Sequence, residues 1–290
     1  MLSALLLAHC LLQHAAPAST STSTTMSEDH HHHHLPLPSV VLVPGAWTPP
    51  SAYHKLVHEL KAKSFEVHVP ALPTNNSRQP PNSTFAADIA AVQQVVEELV
   101  DHDEKHVLML MHSYGGVVGT SAVQGLTRAD RRREARPGGV VQLVYVAAFM
   151  LDVGQNIQTV VKEVNLPGRD GLVKFADDNS GTWFPIDPPS LLYHDLTRED
   201  QKEQTEFLNW GNVAILTATA TYAAWKDVPT LYVRAIEDRW LPPEFQDFCL
   251  RNAEHAGVTT VDVDALESGH SPYVKFAEEI AAMALEKALG

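Results

Sequence analysis

The sequence predicts an α/β protein with a mostly parallel central sheet flanked by helices and a mainly helical insertion over one edge of the sheet. Three observations predict it. Short β-branched apolar runs alternate with segments whose apolar residues recur at helical spacing, and that alternation demands crossovers and parallel strands. Central runs such as Ser39 to Val43 and Val140 to Ala147 are apolar almost throughout, as strands covered on both faces must be, whereas Thr259 to Val263 alternates. One apolar run, Val107 to Met111, stops at His112-Ser113-Tyr114, and Gly115 and Gly116 then open a helical segment, so a serine stands on a sharp strand-to-helix turn.

Residues 1–34 stand apart from this pattern. Leu2 to Leu12 is apolar but too short to span a bilayer, and Ala15-Ala16-Pro17-Ala18 with a Ser/Thr tract follows it in the manner of a secretory signal. No Lys or Arg precedes the apolar run, Met26 offers a second start, and His30 to His34 reads as a tag or low-complexity tract. The balance favours a cytosolic chain with an extended or disordered leader. A secreted chain is the alternative, and only then would the sequons at Asn75 and Asn82 matter. No transmembrane segment is expected.

One domain is expected over 35–290, with its core at 35–148 and 228–290 and a lid at about 149–227. Ser39 to Val43 is the first strand and ends in Pro44-Gly45-Ala46-Trp47. A helical stripe follows at Tyr53, Leu56, Val57 and Leu60, then a strand at Phe65 to Val69. After a Pro/Asn-rich loop, Ser83 or Thr84 can cap a helix whose stripe is Phe85, Ile89, Val92, Val96 and Leu99. The helix after Ser113 runs to about Leu126, Arg128 to Arg136 reads as a solvated surface loop, and Val140 to Ala147 is a buried strand.

From Phe149 to Asp227 the strand signal largely disappears. Thr197, with Asp200 three residues on, opens a helix there, and aromatics recur at Trp183, Phe184, Tyr193, Phe207, Trp210, Tyr222 and Trp225. Most of these pack within the insertion, and two or three are expected to face a pocket. The sheet resumes at Thr230 to Val233, which leads to Glu237-Asp238-Arg239-Trp240. A helix from Pro243 to about Ala256 and a strand from Thr259 to Val263 follow. Glu267 to Pro272 then leads into a final helix with Val274, Ile280 and Leu285 on its stripe. An acid after the penultimate strand and a histidine after the last one therefore share the carboxyl edge of the sheet with Ser113, where open α/β sheets bind ligands.

With 35 acidic and 21 basic residues the chain lacks the cationic excess that phosphate neutralisation needs, so nucleic acid is not expected as a partner. Cys10 lies in the leader and Cys249 in a helical pattern, which implies no disulfide framework. No nucleotide, flavin or metal motif is present, and no cofactor is expected.

Four stretches now come together: Pro44-Gly45-Ala46-Trp47, His112-Ser113-Tyr114-Gly115-Gly116, Asp238 with Pro242 four residues on, and Gly269-His270-Ser271-Pro272. In kind and order they resemble the α/β-hydrolase superfamily, and most of all its single-domain esterase branch, over about Leu35 to Leu289. The resemblance implies a nucleophile at Ser113, a base at His270 and an acid at Asp238. Glu237 and Asp152 are the competing acids. It also implies oxyanion-hole N–H groups at Ala46 and Tyr114, with Trp47 as the alternative to Ala46. The pocket candidates are Trp47, Phe149, Trp183, Tyr222 and Trp240.

The implied roles have a physical basis. A serine hydroxyl is a weak nucleophile until an imidazole takes its proton, and a carboxylate fixes that imidazole's tautomer. An unperturbed imidazole titrates near pH ~6.5, so a histidine base predicts activity rising through that region. Two positions depart from the family's pattern. Met111 stands where the motif G-x-S-x-G has its first glycine, so the elbow is opened slightly or its neighbours are small. Pro44 stands where a histidine often precedes the glycine. Ser271 occupies the place where a hydroxynitrile lyase would carry lysine, which disfavours that activity. An aromatic lid and the absence of a basic cluster favour a small, apolar, uncharged ester, or a lactone or thioester. A ligand-binding or sensing protein with little turnover is the alternative from another class, and oligomeric state is not legible.

Overall fold

The structure, a computed structural model, describes residues 36–76, 83–169, 171–176 and 181–290. The leader with its histidine run, Met26 and Cys10, and the sequon at Asn82, lie outside the described residues. The chain enters on β1 (Ser39–Val43), buried along its whole length, and continues through α1 (His54–Ala62) to β2 (Val67–His68). The second strand is shorter than its apolar run because it is the sheet's edge and pairs with β1 at two positions only. Thr84 caps α2 (Phe85–Glu97) by accepting the Ala87 N–H, and β3 (His106–His112) follows.

Next come α3 (Gly115–Ala122), α4 (Arg128–Arg133) and β4 (Gly139–Val146). The basic segment here is not the solvated loop its charges suggest. Arg131 is 1 % exposed, and its guanidinium donates to Asp101 Oδ1 at 2.6 Å and to the carbonyls of Val100 and Pro137 at 2.7 Å each. Its long apolar stem fills space while the planar head closes the chain ends around it, which a lysine could not do.

Residues 149–227 are mainly helical among those described, and they also carry a small sheet that was not expected. They hold α5 (Ile157–Val164), β5 (Val173–Phe175), β6 (Thr182–Pro185), α6 (Pro188–Leu191), α7 (Arg198–Phe207) and β7 (Gly211–Asn212), and the three strands form an antiparallel sheet in the order β5-β6-β7. Strands of two to four residues are too short to carry a period-2 pattern. Thr197 does open α7, its side chain accepting the Asp200 N–H.

The chain then returns to the main sheet with β8 (Thr230–Ala235), α8 (Pro243–His255) and β9 (Val261–Leu266). It ends on α9 (Pro272–Lys275) and α10 (Ala277–Leu289), one expected helix divided at Phe276. All six strands of the main sheet are parallel, in the order β2-β1-β3-β4-β8-β9. The order puts β3 at the centre, and the carboxyl ends of β3, β8 and β9 open on one edge. Among the described residues no helix is long and apolar enough to cross a membrane.

Candidate active site

Ser113 leaves β3 with φ +54°, a left-handed conformation that costs a non-glycine residue about 1–3 kcal/mol unless its surroundings hold it. They do: Ser113 N–H donates to Val146 O at 3.4 Å, and Ser113 O accepts from Gly116 and Phe149 N–H at 3.1 Å each. A Cβ on Gly115 would lie 2.4 Å from Val43 O, and one on Gly116 would lie 2.5 Å from Phe149 O, so only glycine lets α3 pass this close. Met111 is accommodated by a third glycine. A Cβ on Gly119 would sit 2.5 Å from the Met111 sulfur, so the side chain occupies the space that Gly119 leaves.

Three residues from three strand ends meet at this turn. His270 Nε2 is 3.0 Å from Ser113 Oγ, and His270 Nδ1 is 2.7 Å from Asp238 Oδ2. A carboxylate oxygen can only accept, so Nδ1 carries the proton and Nε2 is left to accept from the serine hydroxyl. Asp238 Oδ1 accepts the N–H groups of Trp240 and Leu241 at 2.8 Å each, which fixes the carboxylate on its own turn. Ser113, Asp238 and His270 are each 3–4 % exposed. Glu237 is exposed and turns away, and Asp152 pairs with Lys226 at 2.6 Å, so neither competing acid reaches the imidazole.

The loop after β1 is held by residues to which the sequence reading gave no such part. Trp47, at φ +64°, gives its N–H to Asn75 Oδ1 at 2.9 Å, and Asn75 Nδ2 donates to Gly45 O at 2.8 Å. Trp47 N–H is therefore occupied. Among the described residues the N–H groups of Ala46 and Tyr114 meet no acceptor, and both residues line the cavity that holds Ser113. Asn75, read as a sequon, is 5 % exposed with its amide engaged on both sides. Asp88, fully buried on α2, accepts from Thr74 N–H at 3.0 Å, Thr74 Oγ1 at 2.6 Å and Tyr114 O–H at 2.8 Å. Burial pushes its carboxyl above the usual range and these donors act against that. A carboxylate three residues after Phe85 and four before Val92, on an otherwise apolar helix face, was the legible signal.

A second buried chain links this loop to the imidazole. His112 Nε2 lies 2.8 Å from His270 O, which can only accept, so Nε2 is the donor. Burial holds the His112 ring well below its ordinary titration range, hence neutral, and its Nδ1 accepts from Tyr53 O–H at 2.8 Å. Tyr53 in turn accepts Gly45 N–H at 2.8 Å.

The cavity above Ser113 measures about 170 Å³. Trp47, Phe149, Trp183 and Trp240 line it, with Trp47 4.5 Å from Trp183 and 5.1 Å from Trp240 between ring centroids. Tyr222 is not among the lining residues. Its hydroxyl instead reaches Asp227 at 3.3 Å on the chain leading to β8. Among the described residues the remaining wall is aliphatic and aromatic except for Arg169, a cation that its polar Gly-Arg-Asp context in the sequence does not announce.

A sequence profile described as the Alpha/beta hydrolase family matches residues 40–283. The chain is 27% identical over 236 residues to "Alpha/beta hydrolase nvfD" of Aspergillus novofumigatus, an alignment covering 81% of this chain and 90% of that one. Among solved structures, a pyrethroid hydrolase from Sphingobium faniae superposes with a TM-score of 0.65 at 19% identity, over 87% of this chain and 97% of that one. A polyneuridine aldehyde esterase variant superposes with a TM-score of 0.68 at 18% identity, over 86% and 98%. At such identities these two likenesses speak to the fold.

Proposed function

The chain belongs to the alpha/beta hydrolase family, and on that premise we propose that it is a serine hydrolase cleaving a small, largely apolar carboxylic ester through an acyl-enzyme. The observation that carries the reading is the 3.0 Å contact between Ser113 Oγ and His270 Nε2 at the floor of a cavity that Ala46 and Tyr114 also line. His270 takes the serine proton as Ser113 attacks the ester carbonyl, and Asp238 stabilises the imidazolium. The oxyanion is received by the N–H groups of Ala46 and Tyr114, the second at the N-terminus of α3, whose dipole favours negative charge. Each such donor is worth about 3 kcal/mol to the transition state. The imidazolium then protonates the departing alkoxide, and water repeats the sequence on the acyl-enzyme.

Relatives named esterase and pyrethroid hydrolase support an ester as the bond cleaved. The test is hydrolysis of p-nitrophenyl butyrate by wild type, Ser113→Ala, His270→Ala and Asp238→Asn. Each variant should lose about 10³-fold or more in kcat. A Ser113→Ala protein within twofold of wild type would refute the assignment.

A further inference from the structure

We propose that Arg169 is the specificity-determining residue of this cavity and binds a carboxylate at the end of the substrate remote from the scissile bond. The inference rests on the reading of Ser113 as nucleophile and adds a substrate class to it: esters with an apolar body and one anionic end. Among the described residues that line the cavity, Arg169 alone is formally charged. Two of its N–H groups are committed to backbone carbonyls, Nη1 to Arg239 O at 2.9 Å and Nη2 to Trp240 O at 2.5 Å. Its plane packs on the rings of Trp240 and Phe245, with Cζ 5.5 and 5.2 Å from their centroids. These contacts aim the guanidinium without neutralising it, because carbonyls and rings carry no net charge.

Among the described residues no carboxylate lies within ion-pair distance of it. Among the described residues the anion acting on it is Asp238, whose two oxygens are taken by His270 and by the N–H groups of Trp240 and Leu241. A guanidinium has five donors, so some of its N–H groups remain for a ligand. Burial of an uncompensated cation is costly, and burial here draws Arg169 below its ordinary pKa. A bidentate carboxylate from the substrate satisfies both the charge and the fork geometry.

The test compares kcat/KM for two ester pairs in wild type, Arg169→Met and Arg169→Lys. One pair is p-nitrophenyl hydrogen glutarate and p-nitrophenyl 5-methylhexanoate, in which isopropyl replaces the carboxylate on the acyl side. The other is 4-carboxyphenyl and 4-isopropylphenyl hexanoate, which moves the charge to the alcohol side. The expected result is that Arg169→Met lowers the anionic-over-neutral preference at least 10-fold in one pair, with Arg169→Lys in between. An unchanged preference in both pairs overturns the proposal and leaves Arg169 a strut between the lid and the acid loop. Calorimetric binding of 5-phenylpentanoate and 5-phenylpentanol gives a readout free of turnover, so failure of the Ser113 reading is distinguishable. Wild type should bind the acid at least 10-fold tighter and Arg169→Met should not, and equal binding by wild type would equally overturn the proposal.

Discussion

At the scale of single residues the site depends on side chains that touch no substrate. Asn75 holds Trp47 in its left-handed conformation and closes on Gly45 O, which fixes Ala46 between them against the cavity it lines. Asn75→Ala should destabilise the fold by about 1–3 kcal/mol, the cost of leaving buried partners unpaired. It should also lower kcat at least 10-fold with little change in KM, because the displaced donor is the one proposed to receive the oxyanion and not the bound ester. Urea denaturation and steady-state kinetics check the two parts, and unchanged kcat would detach Asn75 from the oxyanion loop. His112 gives a prediction in pH. Its folded-state titration is depressed by burial, and an unfolded histidine titrates near its ordinary value of 6.5. Below pH 6.5 the unfolded chain takes up a proton that the folded chain refuses, so stability is full above 6.5 and falls as pH drops through the window beneath it. His112→Phe should flatten that slope by up to about 1.4 kcal/mol per pH unit, read from urea denaturation at pH 5 to 7.

Between elements, the fit of β3 against α3 decides whether the elbow forms. The Met111 side chain leans into the space that Gly119 leaves on the helix, so the missing first glycine of the motif is offset by a glycine six residues beyond the serine. Gly119→Ala should therefore cost about 1–3 kcal/mol by overpacking. Met111→Ala in the same chain should recover much of that, and the two changes should be strongly non-additive in a double-mutant cycle of urea stabilities. Additive effects would mean that the two residues do not share the space. The insertion is tied to the same region from above, through Asn209 N–H to Trp47 O at 2.8 Å and Trp47 Nε1 to Trp183 O at 3.2 Å. The loop after β1 is thus gripped by the turn at Pro73–Asn75 on one side and by the insertion on the other.

For the whole molecule, parallel pairing brings residues 113, 238 and 270 to one edge, and that much was legible in the sequence. Central strands such as β3 and β8 are largely buried, so their apolar runs stand out, and Ser113 and Asp238 each follow such a run, while His270 follows β9, an edge strand legible by its alternation instead. The small antiparallel sheet was not legible, because β5, β6 and β7 are shorter than any periodic pattern. Nor were the parts played by Asn75, Tyr53 and Arg169, since each depends on a partner dozens of residues away or on a cavity wall that exists only after folding. Tyr222 failed as a pocket residue for the same reason: an aromatic in the insertion does not reveal which way it faces. The proposed ester hydrolysis requires an activated Ser113. The measurement that tests it most directly is intact-protein mass after exposure to a fluorophosphonate, with wild type and Ser113→Ala side by side. A single adduct on wild type, absent from the variant, is the predicted result. An unmodified wild type, or an adduct that persists in Ser113→Ala, would contradict it.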